Sequence, residues 1–251
     1  MDIERVASAG LLLVRPGTLM MAAPPFGATY APGPVRIGLT VMLALAMWPT
    51  GGVPTLGSEV GLTLVIAREL AIGLAIGLAM RALLAGAEMA GHLTSQQIGL
   101  SYGAVIDPQS GVRNNILATL YGNLALVTFF AIDGHHALIR TLAASYHLLP
   151  VGLGGIDQSL VSAVSDMLGI VFVLGVRFAM PVIVALLVVE LAMGLISRTA
   201  PALNLMVVGA PLRVVSGLLV VMIVLPATPG VVRRFSSLVV ELGGLLSGAF
   251  K

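Results

Sequence analysis

The sequence predicts an all-α, polytopic integral membrane protein made of long, partly kinked helices and helical hairpins, and three observations favour this class. Hydrophobic residues make up 58% of the 251 residues, and the mean hydropathy is +1.05. Charged residues make up only 10%, against about 25% in soluble domains. Apolar stretches recur along the chain, as expected if helices of about 20 residues cross a bilayer. Because no soluble segment or internal repeat interrupts them, we expect a single domain over residues 1–251.

Clusters rich in proline and glycine divide the apolar sequence into six regions, namely residues 6–23, 35–49, 60–87, 116–132, 164–196 and 205–226. We expect the first region to be retained in the membrane, because Asp2 and Glu4 stand where a cleaved signal has its cationic segment. The third and fifth regions are too long for one plain crossing, so a bend or a hairpin is expected in each. Pro181 favours a bend in the fifth, since proline removes a helix hydrogen bond.

Charged residues interrupt the apolar regions, and each would cost about 2.5–3.5 kcal/mol at the centre of a bilayer. The predicted buried charges are Arg68, Glu69, Arg81, Glu88, Arg177 and Glu190. Arg81 and Glu88 share a helix face, which favours a local ion pair. Arg68 and Glu69 are adjacent and point in different directions, so their partners must lie on other helices, on other subunits or in water. The arginines are spread so evenly that the positive-inside rule gives no orientation.

Small residues predict close packing of helices. Gly73 and Gly77 form a GxxxG motif in the third apolar region, and Gly99 and Gly103 repeat its spacing. Glycine at this spacing lets two helix backbones approach closely. The pattern fits packing inside the chain and a subunit interface equally well.

Composition and motifs argue against catalysis and against nucleic-acid binding. The net charge is only +2, without the clustered basic residues that nucleic acids require. The chain has no cysteine, no GxSxG nucleophile elbow, no P-loop and no HExxH zinc motif. His135 and His136 follow Asp133, but adjacent histidines on a helix are expected to point apart, and Gly134 is expected to end a helix there. We therefore predict no enzyme, no metal and no cofactor.

One polar segment, DPQSG at residues 107–111, stands out in this apolar chain. Asp107 suits the start of a turn, Pro108 the position after it, and Gly111 a positive φ. Asn114 or Asn115 can then cap a helix that begins near Ile116. From the residues alone, the segment is an ordinary connector.

The chain nevertheless resembles the FliR family of flagellar export-gate proteins, which is related to the SctT subunit of virulence type III secretion. The similarity lies in QIGLSYGAVIDPQSGVRNN (97–115), FFAIDGHHALIRTLAASYHLLPVG (129–152) and RTAPALNLMVVGAPLR (198–213). The stretches LLLVRPGTLMMAAPPFG (11–27) and IARELAIGLAIGLAMR (66–81) agree with it. Four positions depart from the family's usual residues, namely Ala202, Met206, Ala210 and Arg213.

The resemblance implies a non-enzymatic subunit that packs with FliP-like and FliQ-like subunits in a hetero-oligomeric assembly. FlhB-like and FlhA-like proteins would engage this assembly in the bacterial inner membrane, at the flagellar basal body. Unfolded flagellar proteins would pass through its centre, and buried charges would meet partner subunits instead of lipid. The segment from Tyr102 to Asn115 would lie near the pore and plug it at rest. The plug residues implied are Tyr102, Asp107, Pro108, Gln109, Ser110, Gly111, Arg113 and Asn114.

Two other classes of protein share some of these features. A secondary transporter also carries intramembrane charges and helix breaks, but it should show them in two repeated halves, which the sequence lacks. A passive membrane scaffold for a secretion system would share the packing motifs without lining a path. Within the resemblance, the blocks IDPQSG and VVGAPLR favour the flagellar members over those of virulence secretion.

Overall fold

The computed structural model describes residues 3–27, 31–51, 59–100, 115–151, 158–199, 205–227 and 230, and these residues are almost entirely helical. Within them lie seven α-helices: α1 (Ile3–Ala22), α2 (Gly33–Gly51), α3 (Glu59–Ile98), α4 (Ile116–Ala131), α5 (Gly134–Leu148), α6 (Gln158–Thr199) and α7 (Leu205–Val224). Short 3-10 helices follow α1 at Pro24–Phe26 and α7 at Leu225–Ala227. The predicted all-α class is confirmed.

Six of the helices, all but α5, match the six apolar regions. The two long regions differ from the expected hairpins, because α3 and α6 are single helices of 40 and 42 residues. Pro181 lies inside α6, which continues beyond it to Thr199. Helix α5 was not predicted as an element, since its sequence mixes three histidines and an arginine with apolar residues.

Two of the described helical segments, Gly61–Ile98 and Phe172–Arg198, are long and apolar enough to cross a membrane. Helices α4 and α5 meet at a bend of 69° and would provide a third crossing if they form one broken span. The apolar segments Gly10–Ala22, Gly33–Trp48 and Gly209–Val224 are shorter than the ~20 residues of a plain crossing. The described helices thus fit a membrane protein with fewer full-length crossings than its six apolar regions suggest.

The residues divide into two compact units. The first consists of Met1–Ala82, Phe129–Leu168 and Arg234–Lys251. In it, α2 packs against α1 and α5. Its core combines residues of α1, of the first half of α3 and of α5, among them Leu19, Ile76 and Leu142.

The second unit consists of Leu83–Thr128 and Gly169–Arg233. Four helices contribute to its apolar core, which contains Ala90, Ile98, Leu117, Tyr121, Phe178, Val182, Leu186 and Val221. Ile98 ends α3, and Leu117 lies in the first turn of α4. The two ends of the segment that contains DPQSG are therefore anchored in one buried cluster.

Large apolar side chains also point outward from several helices. Examples are Ile37 and Leu45 on α2, Leu195 on α6, and Met222 and Ile223 on α7, all more than 60% exposed. Outward apolar faces of this kind need lipid or another protein against them.

Candidate functional site

A buried ion pair lies in the first unit, where α1 and α3 pack together. Arg15 and Glu69 are 0% and 1% exposed. Arg15 Nε donates to Glu69 Oε2 at 2.8 Å, and Arg15 Nη2 donates to Glu69 Oε1 at 3.0 Å. This two-pronged geometry is the strongest form of the arginine–carboxylate contact.

Helix α5 engages the remaining donors of the guanidinium. Arg15 Nη1 donates to Ser145 Oγ at 3.0 Å, and Nη2 donates to the carbonyl oxygen of Leu149, also at 3.0 Å. The guanidinium carbon lies 4.2 Å from the centre of the Tyr146 ring, a cation–π contact. Tyr146 in turn donates its hydroxyl proton to the carbonyl of Leu12 on α1 at 3.1 Å. We call Arg15, Glu69, Ser145 and Tyr146 the Arg15 centre; it ties α1, α3 and α5 together.

The glycines of the GxxxG motif make this close approach possible. Gly73 and Gly77 follow Glu69 by one and two turns on α3, so all three lie on the same helix face. A Cβ atom at Gly73 would overlap Thr18 and the carbonyl of Arg15, and one at Gly77 would overlap Ala22. The structure therefore uses both glycines for packing inside the chain, against α1.

Gly99 has a different role from the helix packing expected of it. Its φ of 94° places it in the left-handed region, where glycine is favoured. The amide of Gly99 donates to the carbonyl of Gln96, and that of Leu100 to the carbonyl of Ser95, which is the Schellman pattern that closes a helix. Gly99 therefore closes α3, while Gly103 lies outside the described residues, so the predicted packing by this pair stays a prediction.

The plug segment is flanked by well-defined helix ends. Its predicted residues from Tyr102 to Asn114 lie outside the described part of the chain. At its far end, Asn115 Oδ1 accepts the amide proton of Ala118 at 3.1 Å, which confirms that an asparagine caps α4. A Cβ at Gly91 would overlap the backbone of Leu117 and Ala118, so α3 and α4 pack in backbone contact beside the segment.

The predicted buried charges occupy different environments. Glu69 is buried, and Arg68 and Glu190 are partly exposed. The other three, Arg81, Glu88 and Arg177, are exposed on the chain by itself. Glu190 pairs with Arg213 of α7 through Oε1 and Nη2 at 2.8 Å. Both Glu69 and Glu190 thus find their partners on another helix of the same chain, so neither requires another subunit for its pairing.

The local pair expected for Arg81 and Glu88 is absent from the described residues. Seven residues cover about 10.5 Å along a helix axis, two turns rather than the single turn that brings side chains together. The carboxylate of Glu88 instead extends over Gly122 on α4, where a Cβ atom would touch the glutamate side chain.

The histidine pair also differs from its prediction. Gly134 begins α5 instead of ending a helix, and α4 has already ended at Ala131. The rings of His135 and His136 do not point apart, since their centres are 4.2 Å from each other. A Cβ atom at Gly134 would overlap the Phe129 ring, so the start of α5 packs closely against the end of α4.

The Arg15 centre could not be predicted from the sequence. Arg15 was recognisable as a charge inside an apolar region, but its partner lies 54 residues away, and Ser145 lies 130 residues away. Periodicity along one helix reports neighbours within that helix only.

A sequence model of the family described as "Bacterial export proteins, family 1" matches residues 6–238. The chain belongs to this family. It is 32% identical over 231 residues to the flagellar biosynthetic protein FliR of Pectobacterium carotovorum subsp. carotovorum, covering 91% of the chain and 88% of that protein. The FliR protein of Escherichia coli (strain K12) is 32% identical over 217 residues, covering 85% of the chain and 82% of that protein.

A more distant relative extends the same similarity. The flagellar biosynthetic protein FliR of Bacillus subtilis (strain 168) is 27% identical over 237 residues, covering 92% of the chain and 91% of that protein. The predicted membership of the FliR family is therefore confirmed. The family match includes the residues on three helices that form the Arg15 centre and the segment between α3 and α4.

Proposed function

We propose that the chain is a FliR-type, non-enzymatic subunit of the flagellar type III protein export gate, which helps to form and plug a channel for unfolded flagellar proteins. The observation that carries the proposal is the nearly full-length similarity to a protein named flagellar biosynthetic protein FliR, over 91% of this chain and 88% of that protein. The family's description as bacterial export proteins agrees with it.

The surroundings of the predicted plug support its role in the proposal. A glycine closes α3 and an asparagine opens α4, and both flanking helices contribute to one buried cluster. The two ends of the segment are thus fixed in the structure, which suits a plug that must return to the same place. Its polar turn residues would meet water or substrate in a pore more readily than they would meet lipid.

The polar chemistry of the Arg15 centre fits a structural subunit better than an enzyme. Four of the five N–H donors of an arginine are engaged there, and both charged side chains are shielded from solvent. Groups that are hydrogen-bonded and inaccessible in this way stabilise helix positions but offer nothing to a reacting molecule.

The proposed partners are FliP-like and FliQ-like subunits, with FlhB-like and FlhA-like proteins engaging the assembly in the inner membrane. The outward apolar faces of α2, α6 and α7 provide surface for such subunits or for lipid. Glu69 and Glu190 pair within the chain. The main reason to expect the chain to aggregate when it is produced alone is therefore its uncovered apolar surface.

Co-expression tests this proposal. We expect the chain to aggregate when produced alone and to co-purify as a stable complex with the FliP-like and FliQ-like subunits of its own host. A host strain without the gene should stop exporting flagellar proteins, and the wild-type gene should restore export. A chain that stays monomeric in detergent whether or not those subunits are present, in a strain that still exports without it, would contradict the proposal. Complex formation without any effect on export would indicate a passive scaffold.

A further inference from the structure

The start of α5 carries a cluster of metal-binding side chains that the export role does not use. Asp133, His135 and His136 each offer one ligand atom, and these three atoms lie within 4.8 Å of one another. All three residues belong to the first unit, and they follow each other within one turn of chain. Their grouping therefore depends on local backbone geometry, not on packing between distant segments.

The backbone at Asp133 turns its carboxylate toward the helix that follows. Asp133 has a φ of 59°, in the left-handed region that aspartate and asparagine tolerate better than most residues. Its Oδ1 lies 3.1 Å from Nδ1 of His136, three residues further along. The side chains of His136 and Asp133 are 60% and 74% exposed, so both can adjust to an incoming ion.

Aromatic contacts bring His135 to the same place. Its ring centre lies 5.4 Å from that of Phe130 and 4.2 Å from that of His136. Nδ1 of His135 is buried and has no hydrogen-bond partner among the residues that the structure describes. Burying an unsatisfied polar atom is unfavourable. In the tautomer that leaves this nitrogen unprotonated, a metal ion would satisfy its lone pair.

We propose that Asp133, His135 and His136 bind one divalent transition-metal ion of the zinc type. Two imidazole nitrogens and one carboxylate oxygen suit Zn²⁺, Ni²⁺, Co²⁺ or Cu²⁺, whereas Mg²⁺ and Ca²⁺ require oxygen ligands alone. Bonds of about 2.0–2.2 Å to Zn²⁺ place tetrahedral ligands roughly 3.3–3.5 Å apart, so the most distant ligand atoms must approach each other by up to about 1.5 Å. Water would complete the coordination on the exposed side.

A hydrogen bond or ion pair between the side chains of Asp133 and His136 alone is the simpler alternative, and it makes a different prediction. Such a contact involves two residues and needs no metal, so His135 would have no part in it. A metal site requires all three side chains, and removing any one of them should weaken binding.

Titration of the full-length chain with Co²⁺ tests the proposal. The protein is purified in detergent, alone or with its partner subunits, by an affinity tag that contains no histidine. Visible absorption reports the coordination of Co²⁺, displacement by Zn²⁺ gives its relative affinity, and elemental analysis gives the number of ions bound per chain. The variants are His135→Ala, His136→Ala and Asp133→Asn; asparagine keeps the left-handed backbone favourable. His147→Ala is the matched control, since His147 is exposed on the same helix.

We expect one tightly held ion per wild-type chain and unchanged binding in His147→Ala. Each of the three site variants should weaken binding by more than the roughly 10- to 100-fold that removal of a merely orienting partner costs. Circular dichroism should show that all variants keep their helix content. Wild-type chain that takes up no Co²⁺ or Zn²⁺, or His135→Ala protein that binds as tightly as wild type, would overturn the proposal.

Discussion

The two units each contain an arginine–glutamate ion pair, and the pairs differ in their surroundings. In both, an arginine nitrogen lies 2.8 Å from a carboxylate oxygen. The side chains of Arg15 and Glu69 are 0% and 2% exposed, against 30% and 39% for Arg213 and Glu190. Four guanidinium donor contacts are satisfied at Arg15, whereas Nε of Arg213 is buried without a partner in the described part of the chain.

This difference shows that charged residues in an apolar chain can have different structural roles. A fully desolvated pair stabilises only when its geometry and remaining hydrogen bonds are nearly complete, and removing one partner leaves an uncompensated charge. A half-exposed pair is weak on its own, because water competes for both partners. The Arg15 centre is therefore part of the fold, while the Arg213–Glu190 pair sits on a surface that lipid or another subunit can still cover.

The largest expected effect follows from removing one partner of the buried pair. Arg15→Met leaves the Glu69 carboxylate unpaired in the core, and Glu69→Gln removes the charge that balances the guanidinium. Each should destabilise the chain by about 3–5 kcal/mol. Thermal unfolding of the purified complex, together with the amount of chain in the membrane, measures the effect.

The double variant Arg15→Met, Glu69→Met is the control for this prediction. It removes both charges together and should recover part of the stability, since apolar residues often replace a buried pair at little cost. A single variant as stable as wild type would contradict the role of the Arg15 centre.

A smaller effect is expected at the helix contact that brings the pair together. Gly73→Leu inserts bulk against Thr18 and the Arg15 backbone, and overpacking of this kind costs about 1–3 kcal/mol or more. Gly38→Leu in α2 is the matched control, because nothing lies within 4 Å of a Cβ atom at that position. The loss of stability should already appear in the chain itself, before any assembly step. If Gly73→Leu accumulates and melts like Gly38→Leu, the close packing of α1 on α3 is not needed.

The smallest effect concerns the exposed pair. Glu190→Gln should change the stability of the isolated chain by only about 0–1 kcal/mol. In the assembled complex the same change should lower the stability by a larger amount if a partner subunit covers the pair. A covered Arg213 would then lack a charged partner and would also be shielded from water. Comparing how fast a protease degrades the chain in membranes that lack or contain its partner subunits checks this; equal effects in both would show that the pair stays exposed after assembly.

Sequence patterns predicted the positions of the helices better than they predicted the contacts between helices. Continuous apolar runs located six of the seven described helices, because membrane helices can be recognised from the length and hydropathy of their sequences. Helix α5 was missed, since Arg140, His147 and its paired histidines break the apolar run although Leu138, Leu142 and Tyr146 are buried on one face. Its period of about four residues was a usable signal.

Contacts between helices were harder to predict. The sequence identified Gly73 and Gly77 as a packing face but could not say which helix packs there. It identified Glu69 as a costly charge but could not choose among several arginines as its partner. These choices depend on how the chain returns on itself, and that information lies in the combined packing of α1, α3 and α5, not in any one segment.

The most direct test of the proposed function concerns the segment between α3 and α4. Replacing residues 109–113 with a flexible Gly/Ser sequence keeps the length of the segment but removes the side chains that follow Pro108. The flexible sequence has more conformational entropy to lose when it settles in one resting position. Once co-purification has shown that this variant assembles, leakage of ions and small solutes across the inner membrane is measured in cells that make it. We predict greater leakage than in wild-type cells, with the export route still present. An assembled variant as tight as wild type would contradict the assignment of this segment as the plug.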